Sequence, residues 1–340
     1  MLKYLEVEGS PYELGQALGR FGKQAVHDLL LPSAAWASLM AWRGSAEVVV
    51  MQQLTQERFP AIWQEIEGLA AGLELPLADV FIWNCRGDLW AMAPDGCTTV
   101  LLPGEAGATA RLAHNEDGLP FFKNHCAIVR ASVRGHSDVV SFAYPGSIPG
   151  HTFAVNARGL GITVNNVRTR LVRAGVPRMV LGRAALNLDS AVAVQHMLEE
   201  VPRAGGFHFS VAQAGVAFIA SVEFTAHRVS MELITAPALH ANHLVHAAMR
   251  HHPQLVTNSS GFRQERGEQL LQEGVRDALS ILADQHNSAF PILRNAADDS
   301  DDENTMATAF MEVEPDAIRW DVLEDGGRVP VMQFVNAQAV

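Results

Sequence analysis

The sequence predicts an α+β protein built in layers. Three observations predict it: a helical opening segment, a change at Gly96 to short runs with strand periodicity, and helical spacing that returns in only two later stretches. The first element begins at Ser10-Pro11-Tyr12-Glu13, where a capping serine, a proline at the first helical position and a glutamate three residues on coincide. This predicts a helix to about Leu29. Ile62, Ile66, Leu69, Ala70 and Leu73 share one face at helical spacing and stop near Pro76, so the chain up to Trp90 reads as mostly helical. After Gly96, strands are predicted at Cys97 to Leu102, Arg111 to His114, Cys126 to Val133, Val139 to Ala143, Phe153 to Asn156 and Leu160 to Asn165. Turn signals such as Tyr144-Pro145-Gly146 and Ala157-Arg158-Gly159 separate them. Arg178 to Glu200 reads as helical, with Asp189 a cap within it. Strands follow at Phe207 to Gln213, Val216 to Val222 and Val229 to Ile234, then a helix near Arg263 to Ala283 and a closing strand pair, Met306 to Val313 and Ile318 to Leu323. No linker interrupts this order, so one domain over residues 1–340 is expected.

A chain of 340 residues that is 48% apolar can bury a large core. Its 37 acidic and 25 basic residues give a formal charge of −12, which repels phosphate backbones and anionic lipid alike, so neither nucleic acid nor membrane is expected as a partner. No apolar stretch approaches the roughly 20 residues that span a bilayer, and the start at Met1-Leu2-Lys3 lacks the layout of a secretory signal. A cytoplasmic protein is expected. Three cysteines cannot form a disulfide framework and fit no paired zinc motif. Cys85 and Cys126 lie in apolar runs and read as core residues. His240, His243 and His246 follow no zinc spacing and read as surface histidines, and the acidic run Asp298 to Glu303 reads as a solvated loop. No metal or cofactor is expected.

The segment Pro94-Asp95-Gly96-Cys97-Thr98-Thr99 leads a turn directly into a strand that starts with cysteine. A thiol just after a flexible glycine can attack the preceding carbonyl; the amide shifts to a thioester, and water then leaves Cys97 with a free α-amino group. Such an amine, with a reference pKa of about 7.7–8.0, can act as general base for its own thiol near neutral pH. By itself, a cysteine at a strand start is most often a small buried apolar residue.

A wider pattern adds to this pair. Gly9-Ser10-Pro11-Tyr12-Glu13-Leu14-Gly15, Asn84-Cys85-Arg86, Asp95-Gly96-Cys97-Thr98-Thr99, His114-Asn115-Glu116-Asp117, Gly159 to Asn165 and His240-Ala241-Asn242-His243 occur in one order. In that order and spacing the chain resembles the self-processing N-terminal-nucleophile family that includes acyl-coenzyme A:6-aminopenicillanic acid acyltransferase and the β-alanyl amine hydrolases acting on carcinine and β-alanyl-dopamine. The resemblance implies a four-layer αββα sandwich with the nucleophile at the end of a central strand. It implies cleavage between Gly96 and Cys97 into chains of residues 1–96 and 97–340 that stay associated. Cys97 would be the nucleophile, Asp117 the carboxylate that orients or balances the amino group, and Asn242 the oxyanion donor. Arg86, Asn115, Glu116, Thr305 and Thr308 would be substrate-binding or supporting residues, Glu116 as a partner for a cationic acyl tail. Asn304 to Glu312 contains no arginine, a departure from the acyltransferase pattern.

The expected activity is hydrolysis of a small N-acyl amine, such as a β-alanyl amine, through a thioester on Cys97. Two alternatives stand beside it: acyl-coenzyme A-dependent acyl transfer with the same nucleophile, and an unprocessed homologue that binds without catalysis. The partner expected is a small-molecule amide, and a homo-oligomer is left open.

Overall fold

The structure is a computed structural model that describes residues 2–90, 96–104 and 109–340. Pro94 and Asp95 of the turn before Cys97 therefore lie outside the described residues. In chain order the strands are β1 (Lys3–Gly9), β2 (Cys97–Leu102), β3 (Ala110–Gly118), β4 (Ala127–Val133), β5 (Val139–Ala143), β6 (Phe153–Asn156), β7 (Leu160–Asn166), β8 (Phe207–Gln213), β9 (Ile219–Phe224), β10 (Val229–Ile234), β11 (Ala238–His240), β12 (Asn304–Val313), β13 (Ile318–Leu323), β14 (Met332–Val335) and β15 (Gln338–Ala339). The helices are α1 (Pro11–Ala25), α2 (Ala34–Met40), α3 (Ala46–Arg58), α4 (Pro60–Leu73), α5 (Leu77–Trp83), α6 (Arg86–Leu89), α7 (Arg178–Ala185), α8 (Ala191–Glu200), α9 (Asn258–Gln272) and α10 (Ala278–Leu282).

The strands form two sheets, one in the order β1-β4-β5-β6-β7-β8-β9-β10 and the other β11-β2-β3-β12-β13-β14-β15. The sheets face each other where β2 meets β7 and β3 meets β8. Helices α1 and α8 cover the outer side of the first sheet, while α9 and α10 lie on β11, β2 and β3 of the second. This is the four-layer αββα arrangement. It explains why β2, β7 and β9 are buried along their whole length: a strand with another sheet on one face and helices on the other has no solvent side.

Helix α1 has the predicted capping box, in which Ser10 and Glu13 satisfy each other's backbone N–H groups. It lies against α4 through glycines. A Cβ added at Gly15 would collide with the carbonyl of Glu65, and one at Gly68 with that of Tyr12, so the two backbones come closer than side chains would permit. A buried ion pair then fixes α4 to α7: Arg183 donates from Nε and Nη2 to the two carboxylate oxygens of Glu65, at 2.8 and 2.6 Å. Arg183→Leu is expected to destabilise the fold by about 3–5 kcal/mol, because it strands the Glu65 carboxylate in the interior. A denaturant titration beside the wild type checks this.

Several boundaries differ from the sequence reading. Lys3–Gly9 is a strand, not part of a helical opening, and it pairs in parallel with β4, from Lys3 opposite Ala127 to Gly9 opposite Val133. The stretch Arg178 to Glu200 is two helices, and the second is capped by Ser190, which accepts from the Ala193 N–H, rather than by Asp189. Thr257 and Asp277 cap two separate helices where one was expected. The acidic run is only partly solvated: Glu303 is buried, and both it and Asp299 pair with Arg294. His240 and His246 are buried as well. They belong to a polar cluster with Glu223, His208 and Ser221, so they are not surface histidines. Cys85 and Cys126 are core residues, and burial pushes both thiols up. Among the described residues no helix is long and apolar enough to cross a membrane.

Candidate active site

The site follows from the antiparallel ladder between β2 and β3. Cys97 stands opposite Glu116, Thr98 opposite Asn115 and Thr99 opposite His114. Opposed residues share a face and neighbours alternate. Cys97, Thr99, His114 and Glu116 therefore turn toward the other sheet, while Thr98, Asn115 and Asp117 turn toward the side covered by α9 and α10. The contacts agree: Thr99 Oγ1 donates to Asn165 Oδ1 on β7 at 2.7 Å, and Asn115 Nδ2 donates to the Leu282 carbonyl of α10 at 2.8 Å.

On the first face, Cys97 Sγ lies 3.6 Å from Glu116 Oε2, and the same oxygen is 3.2 Å from His114 Nε2. These three donor atoms fall within 4.8 Å of one another, a grouping that metal ions also use; here each is hydrogen-bonded to a neighbour in the set. Glu116 is thus engaged with both the thiol and the imidazole.

The peptide between Gly96 and Cys97 is held from both sides. The Gly96 carbonyl accepts from the Asp117 N–H at 3.0 Å, and the Cys97 N–H donates to Asn242 Oδ1 at 3.0 Å. Arg263 on α9 reinforces this: Nη2 donates to the same Asn242 oxygen at 2.7 Å, and Nη1 donates to the Cys97 carbonyl at 2.6 Å and to Thr98 Oγ1 at 2.8 Å. A guanidinium only donates, so the Asn242 atom facing it is the oxygen. Asn242 Nδ2 is bound to the Asn166 carbonyl at 3.1 Å. The amide thus presents an acceptor to Cys97, with one of the two Nδ2 hydrogens committed to the Asn166 carbonyl.

Asp117 is fully buried on the second face. Its Oδ1 accepts from Thr305 Oγ1 at 2.7 Å, while Oδ2 has no hydrogen-bond partner among the described residues. Burial raises its carboxyl pKa, and the guanidiniums of Arg294 and Arg263 oppose that rise. Thr308 Oγ1 donates to Asn115 Oδ1 at 2.7 Å. Both threonines named from the sequence therefore support residues of the β3 signature. Arg86 lies further off. It stacks 4.9 Å over Trp83 and, with Trp90, Leu119, Phe122 and Tyr144, lines a narrow crevice against Gly118, the residue after Asp117.

The structure thus brings Cys97, Gly96, Asn115, Glu116, Asp117, Asn242, Thr305 and Thr308 together, with Arg86 at the margin. Arg263, Arg294 and Glu303 were not found from the sequence. Arg263 bonds directly to Cys97 and Asn242, and a Cβ added at Gly96 would collide with the Glu303 carboxylate and come within 2.9 Å of Arg294 Nη1.

Comparison with known proteins gives three findings. The sequence profile of the family described as acyl-coenzyme A:6-aminopenicillanic acid acyl-transferase matches residues 105–324. That span includes Asp117, Asn242, Thr305 and Thr308 and begins after Cys97. A beta-alanyl-dopamine/carcinine hydrolase of Drosophila melanogaster is 28% identical over 218 residues, 56% of this chain and 56% of the relative, so the chain spans about half the length of that protein. The crystal structure of variant R18L of conjugated bile acid hydrolase from Clostridium perfringens overlays at a TM-score of 0.46 and 13% identity, over 70% of this chain and 92% of its own, too slight a likeness to argue from.

Proposed function

We propose that this chain, which belongs to the acyl-coenzyme A:6-aminopenicillanic acid acyl-transferase family, cuts itself between Gly96 and Cys97 and then hydrolyses small N-acyl amines with Cys97 as nucleophile. The observation that carries the reading is the grip on one peptide bond. Its oxygen faces the Asp117 N–H, its nitrogen faces Asn242 Oδ1, and the side chain beyond it is a thiol. In self-cleavage the sulfur adds to the Gly96 carbonyl carbon, and the oxygen takes the negative charge against the Asp117 N–H, a fixed donor in a dry interior. The C–N bond then breaks, and water hydrolyses the thioester.

The new α-amine arises where the Cys97 N–H now meets Asn242. Arg263 donates to the same oxygen, and its positive charge disfavours protonation of the amine, which keeps more of it available as base for the thiol. After cleavage the Asp117 N–H can serve the substrate's acyl oxygen as it served that of Gly96. One cradle then serves both reactions, with Asn242 holding the amine. The products are two chains, residues 1–96 and 97–340, which remain associated because β1 on one pairs with β4 on the other.

Gly96→Ala is expected to slow or stop the cut, because the added methyl meets Glu303 and Arg294 and pushes the scissile carbonyl off the Asp117 N–H. Electrophoresis of the purified variant beside wild type checks this.

The substrate reading favours an amide of a short ω-amino acyl group such as β-alanyl, supported by the hydrolase relative. The acidic charge of the whole chain attracts a cationic substrate, whereas Arg86 repels a cationic tail lodged in its own crevice. A panel of β-alanyl, acetyl and phenylacetyl amides of one amine, with and without an acyl-coenzyme A thioester, decides the matter. Release of free acid and amine from the amide alone is the expected result. Turnover confined to thioester reactions would make the enzyme an acyltransferase, and preference for phenylacetyl would reject the cationic acyl group.

A further inference from the structure

Before the cut, the nitrogen of Cys97 is an amide, so the amine that serves the mature enzyme as base does not yet exist. The thiol has to give its proton to another group. We propose that Glu116 receives the Cys97 thiol proton in the uncut chain while passing its own proton to His114, making this pair the base of self-cleavage. The inference rests on cleavage at Gly96 and Cys97 and adds the group that starts it.

The two side chains share a face because Cys97 and Glu116 are directly opposed in the ladder, and Sγ and Oε2 are 3.6 Å apart, within reach of a thiol hydrogen bond. Proton positions along the rest of the chain follow from a fixed end. Asn165 Nδ2 donates to the His240 carbonyl at 3.1 Å, so Asn165 Oδ1 faces Thr99. The Thr99 hydroxyl donates its single proton to that oxygen at 2.7 Å, and its own oxygen can then only accept from His114 Nδ1, also at 2.7 Å. His114 Nδ1 therefore carries hydrogen, and in a neutral ring Nε2 is bare. A bare nitrogen and a carboxylate oxygen do not settle 3.2 Å apart in a dry interior without a proton between them.

Burial lowers the His114 pKa to about 3, so the ring is neutral, and the proton that the 3.2 Å contact requires between Nε2 and Oε2 comes from the Glu116 side.

The step balances. The Sγ–H proton moves to Glu116 Oε2 as the Oε2 proton moves to His114 Nε2. The sulfur electron pair bonds to the Gly96 carbon, and the carbonyl π pair moves onto the oxygen that faces the Asp117 N–H. The thiolate and then the oxyanion supply the negative charge that stabilises the transient imidazolium. When the tetrahedral centre collapses, the C–N bond breaks, the imidazolium proton returns through Glu116, and the Cys97 nitrogen gains one proton to become the amine. Water then splits the thioester and restores the thiol. Glu116 touches the reacting sulfur and is catalytic in this step, whereas His114 acts through it and positions it.

Glu116→Gln keeps the shape but cannot pass a proton on. First-order cleavage of the purified precursor is expected to slow by about 10²–10³, within the usual range for a general base. The fraction that does mature over long incubation, counted by labelling the N-terminal cysteine, is expected to lose less in turnover than the precursor loses in cleavage rate, since the amine has by then taken over the base role. His114→Gln should shift the same ratio in the same direction, and it carries the test where Glu116→Gln fails to fold by circular dichroism. Cleavage at the wild-type rate in these variants would overturn the proposal, as would equal losses in cleavage and turnover, which would mark the pair as merely structural. A wild-type chain that is active yet never cut would overturn self-cleavage itself; intact mass separates that failure from failure of the relay.

Discussion

Cys97→Ala is expected to accumulate as one uncut chain with no amidase activity. Both reactions proposed for this protein use one atom, Sγ of Cys97, as nucleophile, and a methyl group replaces it with nothing that can attack a carbonyl. The fold should survive, because a buried alanine is tolerated at a strand start and the peptide grip by Asp117, Asn242 and Arg263 involves only backbone atoms of residues 96 and 97. Loss is expected to be complete within detection, unlike the partial losses of residues that only position the thiol. Electrophoresis, circular dichroism and an amide-hydrolysis assay on one preparation check all three statements. Residual cleavage in this variant would assign the chemistry elsewhere.

Asn242→Ala is expected to have the next largest effect, a fall in turnover of about 10²-fold. The side chain does three things at once: Oδ1 accepts from the Cys97 nitrogen and from Arg263, and Nδ2 ties it to the Asn166 carbonyl. Removing it leaves the Arg263 guanidinium without one of its acceptors in a site where that group is fully buried, and leaves the cysteine nitrogen without its anchor. Cleavage should slow as well, because the same contact aligns the scissile bond. Kinetics on the matured fraction, normalised to labelled N-terminal cysteine, separate the two effects. Turnover near wild type would remove Asn242 from the site.

Part of this arrangement was legible in the sequence. A turn followed by a strand-starting cysteine drew attention to Gly96 and Cys97, while the family resemblance singled out the signature at His114 to Asp117 and the threonines of β12, which stand opposite Asn115 and Asp117 in the ladder. Alternation also forbade Glu116 and Asp117 from facing the same way, and the structure divides them accordingly. What local pattern could not reveal was long-range. Arg263 stands 166 positions from the carbonyl it binds, and a lone arginine on a polar helix reads as a surface charge. Arg294 and Glu303 resemble loop residues until their burial against each other and Gly96 is known. The period-two alternation of Leu5, Glu6, Val7 and Glu8 was present in the sequence, but β1 pairs in parallel with a distant strand, and the strong helix signal that follows at Ser10 obscured it. The turn of Asn242 toward Cys97 through its oxygen was likewise invisible, since Arg263 and the Asn166 carbonyl, which fix which end of the amide faces the nucleophile, are distant in sequence.

Intact-mass analysis of the purified wild-type protein, with N-terminal sequencing of each chain and an amidase assay on the same sample, tests the central claim most directly. The account predicts two co-purifying chains, the larger beginning at Cys97 with a free amine, and activity in proportion to that chain. A fully active protein whose Gly96 and Cys97 are still joined would contradict it.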